Sequence, residues 1–229
     1  LFDNVASANI GQGNLSDCYL ITALIYLSHY PDTVKQLFHP KSSLKDGIVV
    51  VNFVIMGKLF PVIVDTQLPF TNGKPIFARS NKDHLSPAWF ALIEKAYAKA
   101  CGGYSKIQFG QSHIAVHHLL DWYGDQIDDM NIITDQNSIF QALSEKRKQG
   151  ALLSSSVSLT RFVPGTTEAQ VMKGTGLIPS HAYQILDVRE AEGKQFVQLR
   201  NPWGKFEWDG EFSNKSKAWT PSLKHALCY

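Results

Sequence analysis

Apolar residues recur at helical spacing directly after a polar stretch that ends at residue 19. The first of them are Leu20, Ile21, Leu24 and Leu27. This spacing predicts a helix with Ser16 or Asp17 as its N-cap, so that Cys18 lies in the first helical turn. The helix should end before Pro31, because proline disfavours a helical conformation in the residue that precedes it.

The rest of the first half predicts one hairpin and a second long helix. Residues 47–55 and 58–65 form two β-rich runs joined through Met56-Gly57, a pattern typical of a hairpin. Ser86-Pro87 then opens a helix as N-cap and first helical residue, and Gly102-Gly103 ends it.

An acid-rich polar stretch that begins near residues 120–124 separates these elements from a second half of different character. The second half predicts one short helix, over residues 137–149 with Gly150 as its stop, followed mostly by strands. The strands are predicted at residues 151–158, 182–188 and 195–201. We therefore expect an α+β fold, with a helical subdomain over residues 1–121 and a β-rich subdomain over residues 122–229.

Composition excludes some function classes without choosing among the others. The 229 residues are 44% hydrophobic and 18% charged, with a net charge of +2, which gives no electrostatic reason to expect nucleic-acid binding. The longest apolar run, residues 48–56, is far shorter than the ~18 residues of a membrane span, so no direct membrane insertion is expected. Three cysteines cannot all pair with one another, which favours a reducing compartment, and we expect a cytoplasmic location. The chain begins at Leu1 with no initiator methionine or signal-peptide pattern, so we expect an excised domain.

Cys18 is the candidate nucleophile. Unpaired N–H groups and the positive end of the helix dipole at the first turn favour the thiolate over the thiol, and the thiolate is the reactive form. Gln12 lies six residues upstream, on a loop that can return beside the helix. Its side-chain amide and the backbone N–H of Cys18 would then form a two-donor pocket for a developing oxyanion.

A nucleophilic cysteine also needs an imidazole to accept its proton and a third group to orient that ring. His181 stands at the start of one predicted strand and Asn201 at the end of the next, with a turn at residues 192–194 between them. Antiparallel pairing of the two strands would bring the side chains together. Asn201 can accept a hydrogen bond from one ring N–H and leave the other nitrogen facing the thiol.

Four sequence blocks contain these residues and together cover nearly the whole chain. They are Gln12-Gly-x-Leu-x-Asp-Cys18, Glu94-Lys-Ala-Tyr-Ala-Lys99, His181-Ala-Tyr183, and Asn201-Pro-Trp-Gly204 with Glu207-Trp-x-Gly210. In this order the blocks resemble the protease core of the calpains, a family of cysteine proteases. Residues 176–190 and 219–223 are more similar to the PalB-like branch of that family.

The resemblance implies a papain-like architecture whose active-site cleft lies between the helical and the β-rich subdomain. It implies a cysteine endopeptidase with Cys18, His181 and Asn201 as catalytic residues, Gln12 as an oxyanion donor, and Trp203 covering the bond between His181 and Asn201. The implied substrates are proteins bound in an extended conformation and cleaved at few positions. Regulatory domains are expected outside these residues, and family cores continue with further strands, so the β half is expected to be truncated.

No cofactor is required by this chemistry, and calcium binding is expected to be weak or absent. Calcium-dependent relatives place acidic ligands at four positions that align here with Asn9, Ser105, Glu207 and Asn214. Neutral side chains at three of the four positions remove much of the electrostatic attraction for a hard cation.

Several other residues carry weaker signals. Ser16 stands where the family has glycine, and we expect it to gain a capping role at the first helix. His113, His117 and Asp121 share one helical face, but without a fourth ligand we expect a helix surface rather than a zinc site. Cys101 is expected to pack beneath the end of the second long helix.

Two other functions would use the same residues. A catalytically silent calpain-like domain would keep the fold and use its groove for binding. A transglutaminase-like acyl transferase would pass the acyl group to an amine, but its usual third residue is aspartate, and Asn201 argues against it.

Overall fold

The computed structural model describes residues 10–80, 88–124, 135–158 and 163–229. Within these ranges it contains helices and antiparallel sheets, so the predicted α+β class is confirmed. The chain divides into two compact units, Leu1–Gln126 and Ile127–Tyr229. No helix in the described ranges has both the length and the apolar character that a bilayer span needs.

The first unit contains short strands and helices around one apolar core. Its strands are β1 (Ile10–Gly11), β2 (Ile48–Ile55), β3 (Lys58–Asp65), β4 (Phe70–Thr71), β5 (Lys74–Pro75) and β6 (Arg79–Ser80). They pair antiparallel as β1 with β6, β2 with β3, and β4 with β5. Its helices are α1 (Cys18–Leu27), α2 (Pro31–Gln36), α3 (Trp89–Cys101) and α4 (Ser112–Leu120), with a 3₁₀ turn at Tyr104–Lys106.

Helix α1 belongs to the core of this unit on every side. All ten of its residues are buried, which fits a helix that is apolar over most of its circumference. It contacts α4 and β1. As predicted, Cys18 lies in the first turn and the helix ends before Pro31.

The predicted hairpin is present as β2 and β3. Ile55 pairs with Lys58, and the two residues between them have left-handed backbone angles, with φ of 53° at Met56 and 69° at Gly57. Such angles give a two-residue turn the twist that an antiparallel hairpin requires. The turn chemistry was therefore readable from the sequence.

Helix α3 packs on this hairpin through lysine side chains as well as apolar ones. Lys95 Nζ donates to the carboxylate of Asp65 at 2.6 Å, and Lys99 Nζ donates to the carbonyl oxygen of Ile63 at 2.7 Å. The helix ends at Gly102, whose φ is 95°, as predicted. Its predicted start at Ser86-Pro87 lies outside the described residues.

The second unit is built on a three-stranded antiparallel sheet in the order β7-β8-β9. Its elements are α5 (Gln136–Lys148), β7 (Leu153–Ser156), α6 (Glu168–Thr175), β8 (Ala182–Ala191), β9 (Lys194–Arg200) and α7 (Pro221–Leu227). Phe140 of α5 packs against Ile185 and Val188 of β8. The helix predicted over residues 137–149 and the three strands are confirmed, with ends shifted by at most three residues.

Helices α6 and α7 were not predicted. Both are short, at eight and seven residues, so their apolar periodicity is too brief to stand out. Their N-caps carried the readable signal. Thr167 and Gln170 form a capping box at α6, and Thr220 caps α7 directly before Pro221.

Candidate active site

Cys18 is the first residue of α1 and is 8% exposed. The helix is capped by the backbone carbonyl of Asp17, which accepts from the N–H groups of Leu20 at 2.9 Å and Ile21 at 3.1 Å. The thiol thus stands at the positive end of the helix dipole, where a thiolate is favoured over a thiol.

The expected capping role of Ser16 is wrong. Asp17 occupies the N-cap position, and no side chain caps the helix there. The carbonyl of Ser16 instead accepts from the backbone N–H of Phe109 at 2.8 Å, which holds this turn of the chain against the segment before α4.

Gln12 lies on a loop that is packed closely against the backbone of residues 76–77. The N–H of Asn14 donates to the carbonyl of Ile76 at 2.8 Å. A Cβ at Gly13 would lie only 2.1 Å from the carbonyl oxygen of Phe77, so this position has room only for glycine. Gln12 Nε2 donates to the carbonyl of Leu15 at 2.5 Å, which fixes the amide and leaves it a second N–H.

His181 lies directly before β8 and is 6% exposed. The preceding residue, Ser180, has a left-handed φ of 54° and donates its N–H to the carbonyl of Val157 at 2.7 Å. Asn201 follows β9 directly, and antiparallel pairing of β8 with β9 brings the two residues together as predicted. His181 Nε2 and Asn201 Oδ1 are 2.9 Å apart.

The partners of Asn201 decide which way its amide faces. Its Oδ1 also accepts from the backbone N–H of Trp203 at 2.9 Å, and its Nδ2 donates to the carbonyl of Lys205 at 2.7 Å. A backbone N–H can only donate and a carbonyl can only accept, so the oxygen must face His181. His181 therefore carries its proton on Nε2, and Nδ1 is the nitrogen that can take a proton.

Two aromatic residues lie beside the imidazole of His181. Tyr183 meets it edge-on, with ring centroids 5.0 Å apart, and the ring of Trp203 is tilted at 6.5 Å. Burial lowers the pKa of His181, and the hydrogen bond to Asn201 opposes that shift. The result is a neutral imidazole at pH 7 with one defined tautomer.

The candidate residues fall into two pairs. Gln12 and Cys18 belong to the unit Leu1–Gln126, whereas His181 and Asn201 belong to the unit Ile127–Tyr229. The structure brings the second pair into direct hydrogen-bond contact.

One feature of the first unit was missed from the sequence. Glu94 lies within the apolar stripe of α3 and is only 1% exposed, and Asp17, which precedes Cys18, is fully buried. The sequence contained the signal. Phe90 precedes Glu94 by four residues, Ile93 directly precedes it, and Tyr97 follows it by three residues, so all of them share its side of the helix or flank it. An acidic residue in such a stripe indicates a buried, paired carboxyl group.

Neither the other two cysteines nor the histidines of α4 belong to the two candidate pairs. None of the three cysteines, all of which are described, forms a disulfide, and both Cys101 and Cys228 are exposed. The expectation for Cys101 is therefore wrong, because the core that covers Tyr97 does not extend to the last residue of α3.

The histidines of α4 are half-buried, and His117 Nδ1 is 3.8 Å from Asp121 Oδ1. Among the described residues, no three His, Cys, Asp or Glu side chains are grouped to hold a metal ion.

Comparison with known proteins gives the context for these residues. The family model for the calpain family of cysteine proteases matches residues 1–228. The chain belongs to the calpain family. It is 32% identical over 226 residues to the calpain-type cysteine protease DEK1 of Arabidopsis thaliana, a match that covers 96% of this chain and 10% of that protein.

Animal calpains are also similar to the chain. Human calpain-7 is 34% identical over 241 residues, covering 97% of this chain and 28% of that protein. Mouse calpain-5 is 29% identical over 243 residues, covering 95% of this chain and 37% of that protein. The chain thus spans between about a tenth and two fifths of the length of these relatives.

Proposed function

We propose that the protein is a cysteine endopeptidase in which Cys18 is the nucleophile and His181 its proton acceptor. Asn201 orients the imidazole, and Gln12 donates to the oxyanion. The observation that carries the proposal is the His181–Asn201 hydrogen bond of 2.9 Å, because it sets the tautomer that leaves Nδ1 for a thiol. Membership of the calpain family supports a papain-like arrangement, with the cleft between a helical and a β-rich subdomain.

The proposed reaction follows from these positions. Nδ1 of His181 takes the proton of the Cys18 thiol, and the sulfur attacks the carbonyl carbon of an extended peptide. The second N–H of the Gln12 amide and the backbone N–H of Cys18 stabilise the tetrahedral oxyanion. The imidazolium then protonates the leaving amine, and His181 activates the water that releases the thioester.

The proposed substrates are extended segments of other proteins, cut at few positions, with regulatory domains outside this chain. No nucleic acid is proposed as a partner. We place the protein in a reducing compartment such as the cytoplasm. The two exposed thiols, Cys101 and Cys228, support that location, because exposed thiols oxidise readily in oxidising compartments.

Calcium is not proposed as a cofactor. Of the positions where calcium-dependent relatives have acidic ligands, Ser105, Glu207 and Asn214 are exposed, and Asn9 lies outside the described residues. One carboxylate among four such positions gives little attraction for a cation that prefers several charged oxygen ligands.

The test is cleavage of an unfolded protein substrate, with and without a calcium chelator, followed by mass spectrometry of new N-termini. We expect cleavage by the wild type and by Cys101→Ala, and none by Cys18→Ala. A Cys18→Ala variant as active as the wild type contradicts the proposal. Isopeptide products formed with an added primary amine would identify an acyl transferase, and a wild type that binds but never cleaves would identify a binding domain.

A further inference from the structure

Two acidic side chains lie buried beneath the first turn of α1. Asp17 has no exposed surface and Glu94 is 1% exposed. Burial of a carboxylate is unfavourable unless hydrogen bonds or an opposite charge stabilise it. The partners of these two groups therefore determine their protonation.

Glu94 is bound to the backbone of another segment, whereas Asp17 is not. Both oxygens of Glu94 accept from the N–H of Ala78, at 3.1 and 3.0 Å. Among the described residues, no amide, hydroxyl or cationic side chain donates to the buried carboxyl group of Asp17, and no backbone N–H other than its own does so. The Asp17 side chain instead is in hydrogen-bond contact with the carboxyl group of Glu94. Two carboxylates cannot bond to each other, so this contact requires a proton on one of them.

The surroundings place that proton on Glu94. Burial raises the pKa of Glu94 well above its usual value, and the charge of Asp17 raises it further. Burial raises the pKa of Asp17 to about 6, with the hydrogen bond to Glu94 opposing the shift. At neutral pH, Glu94 donates and Asp17 accepts, so the pair carries one negative charge. The phenols that feel this charge, Tyr19 and Tyr104, have raised pKa values, chiefly from burial, and stay neutral.

The pair connects three segments of the first unit. Asp17 is the N-cap of α1 and precedes Cys18, while Glu94 lies on α3. Ala78 precedes β6, and β6 pairs with β1, the strand that leads into Gln12. Both proposed donors to the oxyanion are therefore attached to the same pair of carboxyl groups.

We propose that Asp17 and Glu94 share one proton and act together as a positioning pair, which holds the first turn of the Cys18 helix and the Gln12 loop in register for catalysis. The shared proton does not depend on any catalytic activity, whereas the positioning role rests on the proposed function. A second ionisation would place two negative charges side by side next to the thiolate, which opposes both the contact and the reactive form of Cys18.

Infrared spectroscopy of the protein in D₂O tests the shared proton. The C=O stretch of a protonated carboxylic acid is separate from the bands of carboxylates and backbone amides. We expect such a band in the wild type at neutral pH, its loss in Glu94→Gln, and its retention in the control Asp65→Asn, which changes an exposed carboxylate paired with the neighbouring Lys95. A wild-type spectrum without the band, or a band that survives in Glu94→Gln, overturns the shared proton.

Kinetics test the positioning role. In Glu94→Gln the amide can accept from Ala78 and donate to Asp17, so both contacts persist without a shared proton. We expect Glu94→Gln to retain kcat within about twofold, and Glu94→Ala to lose about tenfold or more in kcat with little change in KM. Equal kcat values for the two variants, each with the circular dichroism spectrum of the wild type, overturn the positioning role.

The two proposals fail in different ways. An active Cys18→Ala variant contradicts the peptidase proposal but does not affect the infrared test of the shared proton. If Glu94→Ala does not fold, Asp17→Ala takes its place. Its methyl group cannot accept a hydrogen bond from Glu94, so kcat should fall in this variant while Glu94→Gln stays active. A folded Asp17→Ala variant with wild-type kcat overturns the positioning role.

Discussion

The contacts of Asn201 give the most detailed prediction. Asn201→Ala removes the three shortest hydrogen bonds of this side chain, those to His181 at 2.9 Å, to the N–H of Trp203 at 2.9 Å and to the carbonyl of Lys205 at 2.7 Å. Each contributes about 0.5–1.5 kcal/mol net, and the buried N–H of His181 is left without its acceptor. Water can reach Lys205, which is exposed, so the free energy of unfolding should fall by about 2–3 kcal/mol.

The effect on catalysis should be larger than the effect on stability. Without Asn201, the proton of His181 is no longer held on Nε2, so the tautomer that accepts from the thiol is less populated. We expect kcat to fall about 100-fold, which lies within the range of rate enhancement that a well-placed general base provides. Urea unfolding followed by tryptophan fluorescence and peptide hydrolysis measure the two quantities in the same preparation.

The variant Asn201→Asp distinguishes the role of residue 201 in orienting His181 from its contribution to the stability of the fold. The carboxylate still accepts from His181, so kcat should stay well above that of Asn201→Ala. Its second oxygen now faces the carbonyl of Lys205, so stability should fall in both variants. The negative charge raises the pKa of His181, which shifts the acid limb of the activity profile to higher pH. Wild-type kcat and an unchanged pH profile in Asn201→Ala would refute the reasoning and leave Asn201 a turn residue.

Three further predictions test other parts of the account. Gly13→Ala places a Cβ 2.1 Å from the carbonyl oxygen of Phe77, so thermal unfolding should show a loss of about 1–3 kcal/mol and peptide hydrolysis should slow. His181 has a lowered pKa in the folded state, so its contribution to stability is present above about pH 6.5 and is lost as the pH falls through the folded value. Urea titrations should show this acid limb in the wild type and a flatter one in His181→Gln. Calorimetry should detect no calcium binding at micromolar concentrations, and a micromolar dissociation constant would contradict the calcium proposal.

Elements that depend on local chemistry were predictable from the sequence. The β2–β3 hairpin follows from two β-rich runs and the Met56-Gly57 turn between them, and the end of α3 follows from Gly102. The contact of His181 with Asn201 was predictable because it needs only two adjacent strands paired about a short turn. In each case, residues close in sequence decide the geometry.

Features that depend on contacts between distant segments were not predictable. Asp17 had the sequence of an N-cap, but its side chain is buried near Glu94, 77 residues away, and caps nothing. Cys101 follows a buried helical face and is nevertheless exposed, because the core stops one turn earlier. The short helices α6 and α7 were missed for a different and local reason. Seven or eight residues show too little periodicity, and only the N-caps at Thr167 and Thr220 signalled these helices.

The most direct test of the central claim is the rate at which iodoacetamide alkylates each thiol, mapped by mass spectrometry. If exposure alone set the rate, Cys18 would be alkylated most slowly, because it is only 8% exposed and both Cys101 and Cys228 lie at the surface. The account predicts the opposite order, with Cys18 modified first near neutral pH and this advantage lost in His181→Ala. Slower modification of Cys18 than of both exposed thiols, or an advantage that persists without His181, would contradict a thiolate activated by that histidine.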